Sequence, residues 1–198
     1  MDLRTQKTQR AIREAFLHLR AKKPLERITV KELTELAEIS KATFYLHYQD
    51  IYDLSEQLQQ EAIRFTLDQI THPEDFLTNP MQFMQAMVAA FAELRPVTQI
   101  LFSGSQSAIL PAKIEEAYRD YFRQHFPQLQ NNTHFQMFLT YQVYGAYYAY
   151  LHHADHFGRQ EALDVLHGLS FSLTQSKQHR DAIAPARSAV TLSPKTET

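Results

Sequence analysis

The 198-residue sequence predicts an all-α protein: an N-terminal three-helix head with a helix-turn-helix, a long coupling helix, and a C-terminal helical domain. Three observations predict it. Apolar residues recur at three- and four-residue spacing along most of the chain, the mark of helices with one buried face. Only four glycines are present, too few for the turns of a sheet protein of this size. Prolines and Asn, Asp, Ser or Thr caps stand at the breaks between periodic stretches. Cysteine is absent, which excludes disulfides and thiolate metal sites and suits a reducing cytoplasm. The polar opening MDLRTQKTQR is not a secretory signal, and no apolar run approaches the ~20 residues of a membrane span. The formal charge of −2 is unevenly spread: residues 1–49 hold ten Lys/Arg against six Asp/Glu, and residues 50–198 hold ten against sixteen. Such a split suits an N-terminal surface that meets a polyanion.

Taken in order, residues 4–21 form a helix with Ile12, Ala15, Phe16 and Leu19 as its apolar stripe, ended by Lys22, Lys23 and Pro24. Leu25 and Ile28 tuck under the next helix. Residues 29–48 hold two short helical patterns. The first opens on a capping box, in which the Thr29 hydroxyl and the Glu32 carboxylate satisfy orphan amides. The second opens on Ser40 and runs through Lys41, Ala42, Thr43, Phe44, Tyr45, Leu46, His47 and Tyr48. Two helices joined by so short a turn pack steeply, the shape that lays a second helix in the DNA major groove; an ordinary helical hairpin is the alternative. The expected core is Phe16, Leu19, Ile28, Leu33, Leu36, Phe44 and Tyr48. At about 2 kcal/mol per large buried side chain it is small, and it should lean on the chain beyond Tyr48.

A long helix capped by Asp50 comes next, with Ile51, Leu54, Leu58, Ala62, Phe65 and Ile70 inward and His72-Pro73 at its end. Later helices are expected at 80–94, 96–103, 111–126, 133–153 and 160–175, three of them opened by Pro80, Pro96 and Pro111. Residues 176–198 mix Ser, Thr, Pro and Lys without periodicity and read as a flexible tail. The expected boundaries are therefore 1–49, 50–175 and 176–198.

The run Thr29, Glu32, Leu33, Ala37, Ile39, Ser40, Lys41, Thr43, Phe44, Tyr45, His47, Tyr48 resembles the DNA-binding domain of the TetR family of transcriptional repressors, together with the helix before it and the long helix after it. The close resemblance covers residues 5–58; beyond them only length, helicity and helix order agree. It implies a homodimer that binds a near-palindromic double-stranded operator and releases it when a small molecule enters the larger domain. Thr29 then touches a phosphate, Ser40, Lys41, Ala42 and Thr43 face base edges or nearby backbone, and Tyr45 and His47 reach the sugar-phosphate rim. The sequence departs from the family in three places. Glu38 stands at a common glycine of the turn, Ala42 replaces another, and Gln49 and Ile51 replace frequent lysines, which lowers the expected salt dependence of binding. Lost DNA binding, with a protein partner instead, is the alternative: a helical adaptor.

In the larger domain Phe83, Met87, Phe91, Tyr118, Phe122, Tyr144 and Tyr147 are candidate pocket residues, because buried tyrosines need polar partners and often line cavities. A small apolar or aromatic effector is the ligand this reading implies; plain core is the alternative at each position. The last two helices resemble the family's four-helix dimer seam, with Phe138, Tyr141, Gly145 and Tyr148 on one and Leu163, Leu166, Leu169 and Leu173 on the other. His152 and His156 lie four apart, a zinc-like spacing, but a surface helix end is the stronger reading and no metal or other cofactor is expected. No Ser/His/Asp or paired-carboxylate arrangement supports an enzyme.

Overall fold

The computed structural model describes residues 3–83, 85–86 and 95–192. Among them the chain is all-helical with no strand, as the apolar spacing predicts. The helices are α1 (Leu3–Arg20), α2 (Val30–Leu36), α3 (Lys41–Tyr45), α4 (Ile51–Asp68), α5 (Asp75–Thr78), α6 (Arg95–Leu101), α7 (Leu110–His125), α8 (Thr133–Phe157), α9 (Arg159–Thr174) and α10 (Lys177–Leu192). Single 3-10 turns occupy Leu25–Arg27, Gly104–Ile109 and Pro127–Leu129. Among the described residues no helix is long and apolar enough to cross a membrane.

The chain forms two compact units, Met1–Phe65 with Ala92–Leu110, and Thr66–Phe91 with Pro111–Thr198. The expected boundary at 49/50 is thereby moved. The first unit keeps most of α4 and takes in a second, distant segment, because the small three-helix core needs more apolar surface than residues 1–49 supply. Ile12, Phe16, Leu25, Leu33, Phe44, Tyr48, Ile51, Leu54, Leu58, Leu101 and Phe102 are all buried there. Two members of the expected stripes are not: Leu36 is 46% exposed and Phe65 52%, each at the edge of its helix's apolar face.

Polar pins hold the returning segment to the rest of the first unit. The nearly buried Arg20 donates from Nη1 to the Lys23 carbonyl (3.0 Å) and from Nη2 to the Ser103 carbonyl (3.2 Å) and hydroxyl (2.8 Å). Gln59, itself buried, donates to the Leu101 carbonyl at 3.2 Å, and Ser105 donates to Glu26. A buried guanidinium is tolerated because its charge is met by these oxygens.

The second unit is built around Phe76, Leu77, Phe83, Phe122, Phe126, Leu129, Phe135, Leu139 and Val143, with Tyr118 and Tyr144 packed against them. Aromatic rings meet edge to face: the Phe76 and Phe122 centroids lie 4.5 Å apart and those of Phe122 and Phe135 5.0 Å. Asn132 caps α8, its Oδ1 accepting from Phe135 N at 2.9 Å. The helix then runs to Phe157, one turn beyond the expected end, and Gly158 at φ 94° makes the break to α9.

The expected tail is a helix over most of its length. Along α10, His179, Ile183 and Ala186 are buried at four- and three-residue spacing, Asn132 Nδ2 donates to the Ala182 carbonyl at 2.8 Å, and Arg187 Nε donates to the Leu77 carbonyl at 2.6 Å. Pro185 falls inside this helix on an exposed position.

Candidate functional site

The helix-turn-helix is assembled by local caps and one strained residue. Thr29 Oγ1 accepts from Glu32 N at 3.2 Å, but the Glu32 carboxylate pairs with Lys23 instead of reaching back, so only half of the expected capping box forms. At the turn, Glu38 takes φ 54°, the left-handed conformation that glycine adopts freely. Ser40 Oγ then accepts from Thr43 N at 3.0 Å and starts α3. Beyond α3, Asp50 Oδ1 accepts from Asp53 N and Asp53 Oδ2 accepts from Gln49 N, both at 2.8 Å, a reciprocal cap on α4.

This scaffold sorts the residues after Ser40 into two faces. Phe44 is fully buried and Tyr48 nearly so, their ring centroids 5.6 Å apart. On the opposite side Lys41, Ala42, Tyr45 and Leu46 are exposed, at positions that share a helical face, and Thr43 and His47 are half-buried at its margins. Thr29 and Ser40 are exposed at the starts of α2 and α3. Lys41 has no ion-pair partner among the described residues, whereas Lys31 faces Glu35 at 3.9 Å and Arg13 pairs with Glu61. All seven sequence-predicted contact residues are thus at least partly accessible. Leu46, 81% exposed, was not anticipated; its place two residues from both Phe44 and Tyr48 was the available signal. Ile51 is 5% exposed and part of the core, whereas Gln49 is exposed.

Of the seven candidate pocket residues, Met87 and Phe91 lie outside the described residues. Phe83 and Phe122 are buried together in the core of the second unit, their centroids 6.3 Å apart, with Tyr118 and Tyr144 partly buried against the same cluster. Tyr147 is partly buried and stacks edge-on with Tyr148 at 5.2 Å. Burial pushes the Tyr118 phenol above its ordinary range, and burial together with Glu74 does the same for Tyr121. A cavity of about 250 Å³ lies at the end of α7 and the start of α8. Its apolar lining is Phe122, Phe126, Leu129 and Phe135, and its polar lining is Arg119, Arg123, Gln130, Asn131 and Gln136. Phe122 alone is shared with the candidates. Beside it Glu115 accepts from Arg119 and Thr140. Burial would raise the Glu115 carboxyl, but these two partners hold it below the usual carboxylate range.

The candidate seam on α8 and α9 divides. Tyr141 (65%), Tyr148, Leu169 (59%) and Leu173 are exposed, as are Met137, Leu151 and Val165 on the same two helices. Leu163 and Leu166 are half-buried. Phe138 is half-buried as well, its ring centroid 4.2 Å from that of His179 on α10. A side chain added at Gly145 or Gly168 meets nothing within 4 Å, so neither glycine serves a close approach inside the chain. His152, His153 and His156 are exposed, their rings near Tyr148 and Phe157, and among the described residues no group of three or more His, Cys, Asp and Glu is placed to hold a metal ion. No family model, curated protein or solved structure matches this chain.

Proposed function

We infer that this chain is a ligand-responsive, DNA-binding transcriptional regulator, most simply a repressor, that acts as a homodimer on a near-palindromic operator, as its resemblance to the TetR family implies. The observation that carries this reading is the outward face after Ser40: Lys41, Ala42, Tyr45 and Leu46 exposed around a short helix that Phe44 and Tyr48 anchor from behind. Such a face offers a cation and hydroxyls for phosphates and methyl groups for thymine edges. The exposed apolar side chains of α8 and α9 support self-association, which would present two such faces to successive major grooves about 34–36 Å apart. Because α4 begins in the first unit and ends in the second, it is a continuous path by which an effector could bias operator affinity.

The test is a gel shift on the DNA upstream of the chain's own coding sequence. The native protein is expected to retard it, and Thr43→Ala and Tyr45→Ala to weaken binding about tenfold or more. A second reading, a helical adaptor that binds protein, is favoured by Leu46 and by Leu36 and Tyr52, also exposed on the first unit. Absence of any shift at low salt, with Tyr45→Ala abolishing capture of a protein partner, would replace the first reading by the second.

A further inference from the structure

We propose that the cavity at the end of α7 is a binding site for a small organic carboxylate that carries one apolar ring or a short chain. The site lies wholly within the second unit and does not depend on the DNA-binding reading. Its floor is apolar: Phe122, Phe126, Leu129 and Phe135 are each 5% exposed or less, so the recess reaches the core. Its polar lining consists of two guanidiniums and three amides, and no carboxylate lines it. An occupant that satisfies both parts has an apolar body and an anionic head.

The two arginines divide the work. Arg119 is held in place by Gln136, Glu115 and Thr140, which engage three of its five N–H groups and leave two. It is a positioned donor whose remaining N–H groups, on Nε and Nη1, lie on different edges and each offer a ligand oxygen a single hydrogen bond. Among the described residues Arg123 pairs only with Asp120, and both side chains of that pair are more than half exposed. An exposed pair of this kind contributes little and exchanges readily, so a ligand carboxylate can take the place of Asp120. The first turn of α8, which forms the opposite wall, carries no acidic residue to repel it.

The experiment titrates the purified full-length chain, without DNA, by heteronuclear NMR using benzoate, benzyl alcohol and acetate as probes. Benzoate is expected to saturate with shifts at Phe122, Phe126, Gln130 and Gln136, and to bind at least about tenfold more tightly than either benzyl alcohol or acetate, because each lacks one of the two recognised parts. Arg123→Gln, a change on the surface that leaves Arg119 and its partners in place, should weaken benzoate about fivefold and leave benzyl alcohol unchanged, whereas Asp120→Asn should tighten benzoate by removing its competitor. The proposal is overturned if benzoate fails to saturate at millimolar concentration, if benzyl alcohol binds equally well, or if neither variant changes the benzoate affinity. A failed operator gel shift leaves this result untouched.

Discussion

At Glu38 the backbone enters the left-handed region, φ 54°, and the side chain is exposed, so nothing but the turn itself asks for this conformation. An L-residue there carries a penalty of roughly 1 kcal/mol that glycine avoids, partly offset by glycine's greater freedom when unfolded. Glu38→Gly should therefore raise the unfolding free energy by about 0.5 kcal/mol, read as a higher urea midpoint with an unchanged slope. Gln49 is the other residue whose exchange is informative. It is exposed next to the α4 cap, and Gln49→Lys should add one phosphate contact and steepen the logarithmic salt dependence of operator binding by about 0.9. An unchanged slope would remove position 49 from the interface. Ile51→Lys is a different experiment, because it buries a charge and unfolds the first unit instead of adding a contact. Both positions flank the same cap in the sequence, which does not say which way either side chain points.

Among the elements, α10 departs furthest from expectation. Its large apolar residues are few, Ile183, Val190 and Leu192, with Pro185 among them and a histidine ahead, so periodicity alone marks it weakly. The histidine is the reason it matters. His179 is 1% exposed, packed on the Phe138 ring at 4.2 Å with the His134 ring 5.6 Å away, and its Nδ1 has no hydrogen-bond partner among the described residues. Burial, with His134 and Arg187 nearby, pushes its pKa down to about 4. The unfolded chain binds this proton near pH 6.5, so between about pH 6.5 and 4 the unfolded state carries more protons than the folded one. The stability from a neutral His179 is thus complete above pH 6.5 and drains away as the pH falls towards 4, by about 3 kcal/mol in all. Unfolding midpoints measured across that range should slope for the native protein and flatten for His179→Phe; equal slopes would show that another group is responsible. By contrast, α2, α3 and α8 were legible because their caps are local: Thr29, Ser40 and Asn132 each bond an amide three residues ahead. The missing half of the Thr29 box was not, since Lys23 takes the Glu32 carboxylate from outside the helix.

For the whole molecule, the exposed side chains of Met137, Tyr141, Tyr148, Leu151, Val165, Leu169 and Leu173 place an apolar surface on two adjacent helices. A surface of that kind is more than scattered apolar exposure and suits a second copy of the chain. Tyr141→Glu combined with Leu169→Glu should give a monomer by sedimentation velocity with unchanged circular dichroism, and operator affinity should fall with it; a dimer that survives both changes would move the seam elsewhere. Helicity and most buried positions of the first unit could be read from apolar spacing, whereas the partition of the chain could not. The first unit takes in Leu101, Phe102 and Ser103, which lie more than thirty residues beyond the end of its leading stretch at Phe65, and no local pattern encodes such a pairing. That discontinuity also sets an order in time. During synthesis the leading 65 residues emerge with Arg20 and Gln59 still lacking the carbonyls of Ser103 and Leu101, so the head stays incomplete until residue 110 has left the ribosome. By then the chain that begins the second unit is already out, so a complete first unit exists only in molecules that have also started to build the second.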